Sequence, residues 1–238
     1  MNKKKERSYQ EQFMEQFIIL TRSRNTRRVW SDFVQLSACV ISNCVDKKFF
    51  DRRKEQYLKI MGGYSKDECE IFAQLLTITT IAYAENPRQN FLGDRFRIDL
   101  KLLNEKFCRF YTPNHVGRLT SKKQIDHLKQ EIIENGYVTV SDCCCGVGYQ
   151  LMEFANTAKD WGINYQDTVI FVAQDVDPVA AITCYVQLAL LGCAGYVIAG
   201  NSLSNEFPQQ GNIWCTPMFV LKRSIYRNWS CRKIKIHI

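Results

Sequence analysis

The sequence predicts an α/β fold with a small parallel sheet, preceded by an α-helical region. In the second half of the chain, short runs of apolar and β-branched residues alternate with helix-length segments, which is typical of βαβ units. The first half carries helical patterns with capping signals instead. Hydrophobic residues make up 46% of the 238 residues, which is enough for a sizeable core.

The N-terminal region, residues 1–104, is predicted to be helical. A helical pattern extends from Tyr9 to about Asn86. Within it, Ser65-Lys-Asp-Glu68 has the form of a capping box, Gly62-Gly63 ends the preceding helix, and Pro87 closes the last one. We place the boundary to a second region, residues 105–238, near Glu105.

The most informative stretch lies in the second region. Tyr137 to Asp142 is predicted to form a strand that ends in an acidic residue, and Cys143-Cys-Cys-Gly146-Val-Gly148 follows as a tight turn. A parallel strand that enters such a turn brings backbone N–H groups and the next helix N-terminus against a ligand, and glycines permit the close approach. This pattern predicts a site for a nucleotide-type cofactor.

Two details favour S-adenosylmethionine over a dinucleotide. A dinucleotide fingerprint requires a third glycine where this chain has Leu151. Asp142, at the end of the strand, is placed to accept a hydrogen bond from the cationic amino group of the methionine part. An ordinary strand-to-helix turn stays open as the alternative, because two glycines alone are a weak signal.

A second unit follows the predicted helix from Leu151 to Trp161. Thr168 to Asp175 is predicted to form a buried strand that also ends in an acidic residue. Because ligands bind at the carboxyl ends of parallel strands, we expect Asp175 to bridge the two ribose hydroxyls and Val176 to cover one face of adenine. Asp177-Pro178 forms a helix start, with a capping side chain and a proline in the first turn.

A third strand, Tyr196 to Gly200, follows a predicted helix from Pro178 to Leu191. It ends at Asn201, whose side-chain amide is expected to contact the adenine edge. The three strand ends should therefore meet at one edge of the sheet.

With these units in order, residues 90–203 resemble the N6-adenine DNA methylases, especially the modification subunits of type I restriction-modification systems. In that family a Phe/Tyr-Thr-Pro-x-x-Val segment precedes the glycine turn and closes over the cofactor, and this chain has Tyr111-Thr112-Pro113-Asn114-His115-Val116. Asn90-Phe-Leu-Gly-Asp94 resembles the helix before that segment. Thr112-Pro113 also fits a plain helix N-cap, and both roles are compatible.

The resemblance implies a Rossmann-like S-adenosylmethionine-dependent methyltransferase fold. The residues that it implies in cofactor binding are Tyr111, Thr112, Pro113, Asp142, Cys143, Gly146, Gly148, Asp175, Val176 and Asn201. A complete sheet of this kind has seven strands, and only 35 residues follow Leu203. We therefore expect a truncated sheet.

The chain departs from the family in the loop that holds the target amine. The family carries Asn/Asp/Ser-Pro-Pro-aromatic after the fourth strand, whereas this chain has no Pro-Pro and offers Trp214-Cys-Thr216-Pro217-Met218-Phe219. Thr216, Pro217 and Phe219 are the candidate catalytic residues, because methyl transfer depends on orienting the amine and accepting its hydrogen bonds. A threonine hydroxyl does not present an amide or carboxylate oxygen at the same reach.

The charge distribution favours DNA as a partner. Residues 1–60 hold 14 Lys and Arg against 7 Asp and Glu, residues 201–238 hold 6 against 1, and residues 137–200 hold 1 against 6. We expect the basic ends to meet phosphates and the acidic middle to meet a cationic sulfonium. The alternative is that these are solvated helix surfaces. The expected DNA contacts are Arg22, Arg24, Arg27, Arg28, Lys47, Lys48, Arg52, Arg53 and Lys54.

The eleven cysteines do not predict a metal site or a disulfide framework, because the chain has no Cys-x-x-Cys pair and only three histidines. The N-terminus lacks the apolar core of a secretory signal, so we expect a cytoplasmic protein with reduced, mostly buried cysteines. No membrane span is predicted, since Gln187, Gly192 and Gly195 interrupt the longest apolar stretch, Ile182 to Ala199.

Three classes of function follow from the sequence. The first is a DNA methyltransferase that methylates adenine N6, with a partner chain such as a specificity subunit supplying target recognition. The second is a catalytically degenerate, cofactor- and DNA-binding regulatory or restriction-modification-associated module. The third is a methyltransferase for a small molecule or a protein, against which the Tyr111-Thr-Pro segment and the basic ends argue.

Overall fold

Helices fill the first part of the chain, and a small sheet with further helices follows. The computed structural model describes residues 7–101, 128–203 and 210–222. Within these ranges the protein is mixed α/β and mostly helical, with a four-stranded open sheet. The predicted boundary near Glu105 lies outside the described residues, so the division at that point stays a prediction.

The helices before the sheet are α1 (Tyr9–Thr21), α2 (Thr26–Asn43), α3 (Phe50–Met61), α4 (Lys66–Glu85) and the short α5 (Phe91–Asp94). A 3₁₀ turn, Lys47–Phe49, precedes α3, and a π-helical turn, Arg95–Asp99, continues α5. Residues 128–135 are the described part of α6. The elements that follow are β1 (Val138–Asp142), α7 (Tyr149–Asp160), α8 (Tyr165–Thr168), β2 (Val169–Asp175), α9 (Pro178–Leu190), β3 (Ala194–Ala199), β4 (Ile213–Cys215) and α10 (Pro217–Leu221).

Local capping explains where two predicted helices begin. Ser65 accepts a hydrogen bond from the Glu68 backbone N–H at 3.3 Å, while the Glu68 carboxylate accepts one from the Ser65 N–H at 2.8 Å. Asp177 caps α9 by accepting from the Val179 N–H at 2.9 Å, and Pro178 occupies the first helical position. Both predicted helix starts are confirmed.

The first three strands form a parallel sheet in the order β1-β2-β3. Val138 pairs with Val169 across β1 and β2, and Asp175 pairs with Ala199 across β2 and β3. All five residues of β1 and most of β2 are buried, as expected for strands covered on both faces. The three predicted strands and the helices α7 and α9 between them are confirmed.

The fourth strand lies at the far side of β3 and runs antiparallel to it. Tyr196 of β3 pairs with Cys215, and Ile198 pairs with Ile213. The carboxyl end of β4 therefore lies at the edge where β1, β2 and β3 begin. That edge is opposite to the one where β1 and β2 end, so the sequence that follows β4 is separated from the glycine turn.

The helical region packs directly on the sheet region through α9. Trp30 of α2 donates its indole N–H to the hydroxyl of Thr183 on α9 at 3.2 Å, and both residues are fully buried. One hydrophobic core contains Phe13 and Phe33 from the helices together with Phe171 from β2. Burial of this shared apolar surface holds the two parts of the chain together.

Other expectations concern cysteines, metals and membranes. The nine cysteines in the described ranges are free, and of these Cys39, Cys145, Cys184 and Cys193 are buried. Among the same residues no three His, Cys, Asp or Glu side chains are arranged to hold a metal ion. The helices of residues 7–101, 128–203 and 210–222 include none with both the length and the apolar character needed to cross a bilayer.

Candidate functional site

Two buried carboxylates lie at the carboxyl edge of the parallel strands. Asp142 is the last residue of β1 and Asp175 is the last residue of β2. The strands are adjacent and parallel, with Asp142 in register with Ala173, so the two acidic residues end at the same edge. Their exposed fractions are only 8% and 6%.

The turn after β1 has the backbone geometry that the glycines predict. Gly146 and Gly148 have φ angles of +54° and +91°, in the left-handed region that favours glycine. Gly148 also meets a steric limit, because a Cβ at this position would lie 2.6 Å from the sulfur of Cys184 on α9. The second glycine therefore allows the turn to approach α9 closely before α7 begins.

The carboxylates organise this turn through its backbone. Asp142 Oδ1 accepts a hydrogen bond from the Cys144 N–H at 3.0 Å, and Asp175 Oδ2 accepts one from the Gly146 N–H at 2.7 Å. The other oxygen of Asp175 accepts from the Asp177 N–H at 2.9 Å. Asp175 therefore connects the turn after β1 to the start of α9.

The electrostatics of this edge favour a cationic ligand. Burial is the main cause that raises the pKa of Asp142 to about 6; the hydrogen bond from the Cys144 N–H opposes this shift, and the negative charge of Asp175 adds to it. Burial and a neighbouring negative charge both destabilise the ionised carboxylate. A bound cation therefore stabilises this carboxylate more than it would stabilise an exposed one. Perturbed carboxylates of this kind are common at functional sites.

Three other predicted cofactor residues are near these strand ends. Val176 follows Asp175 directly, and its apolar side chain is 46% exposed. Cys143 is exposed in the turn after β1. Asn201 is exposed after β3, where its Oδ1 accepts a hydrogen bond from the Leu203 N–H at 3.0 Å. Tyr111, Thr112 and Pro113, the rest of the predicted cofactor contacts, lie outside the described residues.

The segment that was predicted as the amine-holding loop lies at the end of the short strand β4. Thr216 follows β4, and its fully buried hydroxyl donates to the Cys193 carbonyl at 2.7 Å and accepts from the Gly195 N–H at 3.0 Å. Gly195 is near the start of β3, about 13 Å along the strand from Ala199 at a rise of about 3.3 Å per residue. Thr216 is thus at the opposite edge of the sheet from the two carboxylates.

The neighbours of Thr216 have structural roles as well. Pro217 is in the first turn of α10, and Thr216 caps this helix by accepting from the Phe219 N–H at 3.4 Å. The Phe219 ring packs against Tyr196 of β3, with 6.0 Å between ring centroids. As placed, Thr216, Pro217 and Phe219 stabilise the end of the sheet and do not line the carboxyl edge.

Several residues that were predicted to contact DNA form ion pairs with other residues of the protein. Arg24, Arg27, Arg28 and Arg53 form ion pairs with Glu68, Asp177, Asp32 and Asp46, respectively. Arg53 is only 3% exposed, and its guanidinium lies 4.5 Å from the centre of the Trp214 ring, so its side chain is not accessible to DNA in this conformation. Arg22, Lys47, Lys48, Arg52 and Lys54 are exposed.

Two residues that the sequence analysis did not assign to cofactor binding lie next to the candidate site. Arg27 of α2 pairs with Asp177 at 2.8 Å, just beyond the end of β2. Gln187 of α9 donates to the carbonyl of Val147 in the glycine turn at 2.5 Å. Gln187 did carry a sequence signal, because it is a strongly polar residue within a largely apolar helix.

Comparisons of the chain with protein-family models, with curated proteins and with solved structures find no match. The assignment of a cofactor and a function therefore depends on the motifs and on the geometry of the carboxyl edge.

Proposed function

We propose that the chain binds S-adenosylmethionine and is a methyltransferase-like protein that acts on DNA, with adenine N6 as the methylated position if it is active. The observation that carries this proposal is the convergence of Asp142, Asp175 and the two left-handed glycines at one edge of parallel strands. The order β1-α7-β2-α9-β3 supports a Rossmann-like arrangement of this half of the chain.

Each residue at the edge has a role in this proposal. Asp142 accepts a hydrogen bond from the ammonium group of the cofactor, and Asp175 accepts those of the two ribose hydroxyls. Val176 covers adenine, and Asn201 contacts its polar edge. When bound, S-adenosylmethionine supplies a methyl group on a sulfonium. The remaining task of the protein is to hold the acceptor amine in line with it.

A second candidate function is a cofactor- and DNA-binding regulatory module without turnover. The antiparallel direction of β4 favours it, because this direction puts Thr216 at the opposite edge of the sheet. No other described residue has been assigned to hold the amine. In this case the bound cofactor would stabilise the conformation that meets DNA or a partner subunit.

Calorimetric titration with S-adenosylmethionine and its demethylated product tests the cofactor assignment. Asp175→Asn should weaken binding about tenfold or more, because the ribose hydroxyls lose charge-assisted hydrogen bonds. Asp160→Asn is the matched control, since Asp160 is an exposed residue of the same region whose ion pair with Arg88 is at the surface. Absence of binding heat and of a thermal shift at millimolar ligand would refute the proposal.

Transfer of a tritiated methyl group to mixed DNA separates the two candidate functions. Methylated adenine produced by the chain alone supports the enzyme, whereas cofactor binding without transfer supports the regulatory module.

Thr216→Val should lower stability by about 1–2 kcal/mol through loss of the cap and of the Cys193 hydrogen bond. If Thr216 is structural, turnover per folded molecule should not change.

A further inference from the structure

One buried amide connects three separate segments around the glycine turn. Gln187 of α9 has no exposed surface. Its Oε1 accepts hydrogen bonds from the Tyr83 hydroxyl of α4 and from the Gly93 N–H of α5, the latter at 3.2 Å. Its Nε2 donates to the Val147 carbonyl at 2.5 Å. Gln187 therefore joins the helical region to the turn between β1 and α7.

The chemistry of the partners fixes the orientation of this amide. The Val147 carbonyl only accepts, so the nitrogen of Gln187 must face it, and the Gly93 N–H only donates, so the oxygen must face Gly93. Tyr83 is then free to act as a donor to Gln187 while it accepts from the Leu92 N–H at 3.4 Å. Both ends of the side chain are used.

Helix packing alone does not require glutamine at this position. The neighbours of Gln187 on α9 include the buried apolar residues Val186 and Leu188, and an apolar side chain would avoid the desolvation of an amide. A buried amide offsets its desolvation only where its hydrogen bonds are made, as they are here. The position is thus specific for a side chain that accepts on one side and donates on the other.

We propose that Gln187 is a positioning residue for the cofactor. Its side chain holds the Gly146–Gly148 turn in the binding conformation and connects the turn to α4 and α5. The proposal rests on the proposed function in so far as the turn binds S-adenosylmethionine. Asp175 restrains the turn at Gly146, and Gln187 restrains it one residue later at Val147. Together they fix the direction of the backbone between the two left-handed glycines.

Thr183 provides a matched control on the same helix. It lies one turn before Gln187, is equally buried, and also links α9 to the helical region through the Trp30 indole. No hydrogen bond found for its side chain involves the glycine turn; the hydroxyl donates to the Val179 carbonyl at 2.7 Å. Thr183→Val thus removes a buried link between the same two parts of the protein without removing a contact to the turn.

The test measures amide hydrogen exchange in the full-length, ligand-free protein and then cofactor affinity. Gln187→Met keeps the side-chain length and removes both hydrogen-bonding groups. Exchange at Gly146 and Gly148 should rise about tenfold, whereas Thr183→Val should leave these amides nearly unchanged. The affinity for S-adenosylmethionine should fall about tenfold in Gln187→Met and less than about twofold in Thr183→Val.

Equal exchange of the turn in the two variants and the wild type would overturn the proposal. If Gln187→Met does not fold, Tyr83→Phe removes only the hydroxyl that donates to Gln187, and a smaller rise at the same amides is expected. An unchanged turn in Tyr83→Phe would then count against the proposal. If the wild type binds no S-adenosylmethionine, the proposed function fails, while the exchange measurement still decides whether Gln187 holds the turn.

Discussion

At the scale of single residues, the buried carboxylate of Asp142 lowers stability at neutral pH, and this is the group proposed to bind the cofactor. Its pKa in the folded protein is about 6, above the ordinary value of 3.8, mainly because the carboxyl group is buried. Between these two values the folded state binds more protons than the unfolded state. The contribution of Asp142 to stability is therefore fully present below pH 3.8 and is lost as pH rises through about 6.

Asp142→Asn should stabilise the protein at pH 7. The variant removes the buried charge and keeps an oxygen that accepts from the Cys144 N–H, so the free energy of unfolding should rise by about 1–3 kcal/mol. Urea denaturation measures this gain. At pH 4 the gain should largely disappear, because the wild-type carboxyl group is then protonated, and a loss of stability at pH 7 would contradict the argument.

Cofactor affinity should depend on the same titration. If Asp142 binds the ammonium group of S-adenosylmethionine as proposed, the ionised carboxylate is the binding form, so affinity should fall as pH drops below about 6. Calorimetric titration between about pH 5 and 8 checks this dependence. In Asp142→Asn the affinity should be weaker at pH 7 and nearly independent of pH in this range. An equal pH dependence in the variant would assign the titration to another group.

At the scale of elements, a continuous apolar run explains why β2 could be predicted. A parallel strand covered on both faces has little polar alternation, and residues 169–173 are apolar and buried throughout. The direction of β4 could not be predicted in this way, because its three residues contain no signal for direction. Contacts with β3 and with the distant Arg53 set that direction.

The side chains that pair between distant elements could not be predicted from the sequence either. Arg52-Arg53-Lys54 is one basic run, yet only the middle residue enters the core, where it meets Asp46 and Trp214. Thr216 was a candidate catalytic residue in the sequence, whereas the structure shows it as a helix cap away from the carboxyl edge. The strand ends of the site were predictable, whereas the groups that hold them in place were not.

The two glycines of the turn should differ in their tolerance of alanine. At Gly146 a Cβ meets nothing within 4 Å, so Gly146→Ala should cost only the strain of a left-handed residue, about 1–2 kcal/mol. Gly148→Ala adds a clash with Cys184 and should cost about 2–4 kcal/mol. Thermal or urea unfolding measures both values.

Cys184→Ala tests the source of that difference. In the Gly148→Ala background it removes the sulfur at 2.6 Å and should recover part of the lost stability, whereas in the Gly146→Ala background it should only destabilise. Equal losses of stability in the two glycine variants would show that α9 shifts to accommodate the added methyl group without loss of stability.

At the scale of the whole molecule, the charge distribution separates the two expected ligands. The carboxyl edge of the sheet is acidic, while exposed lysines lie on the 3₁₀ turn and on α3 of the helical region. Arg52 is exposed too, but its guanidinium lies against the backbone of Gly211. Lys47, Lys48 and Lys54 are thus the best-placed group for phosphate contacts in this part of the helices.

Replacing Lys47, Lys48 and Lys54 by Gln should weaken DNA binding and flatten its salt dependence. Each lost phosphate contact reduces the slope of log affinity against log salt by about 0.9. Retardation of duplex DNA at several salt concentrations measures the slope. The matched control replaces the exposed Lys66, Lys129 and Lys159 on other helices. An equal effect of both triple variants would indicate that the overall positive charge of the protein attracts DNA, without a defined binding surface.

The buried guanidinium of Arg53 has a consequence for the order in which the protein assembles. It donates to the Ile213 carbonyl at 3.3 Å, across 160 positions of the chain, while its pairing with Asp46 is local. A contact of such long separation forms late, because much of the chain must be ordered first. Arg53→Met should therefore leave the refolding rate nearly unchanged and speed unfolding about tenfold or more, as stopped-flow measurements would show. Arg53 would then determine the lifetime of the native state through the unfolding rate, with little influence on the folding rate.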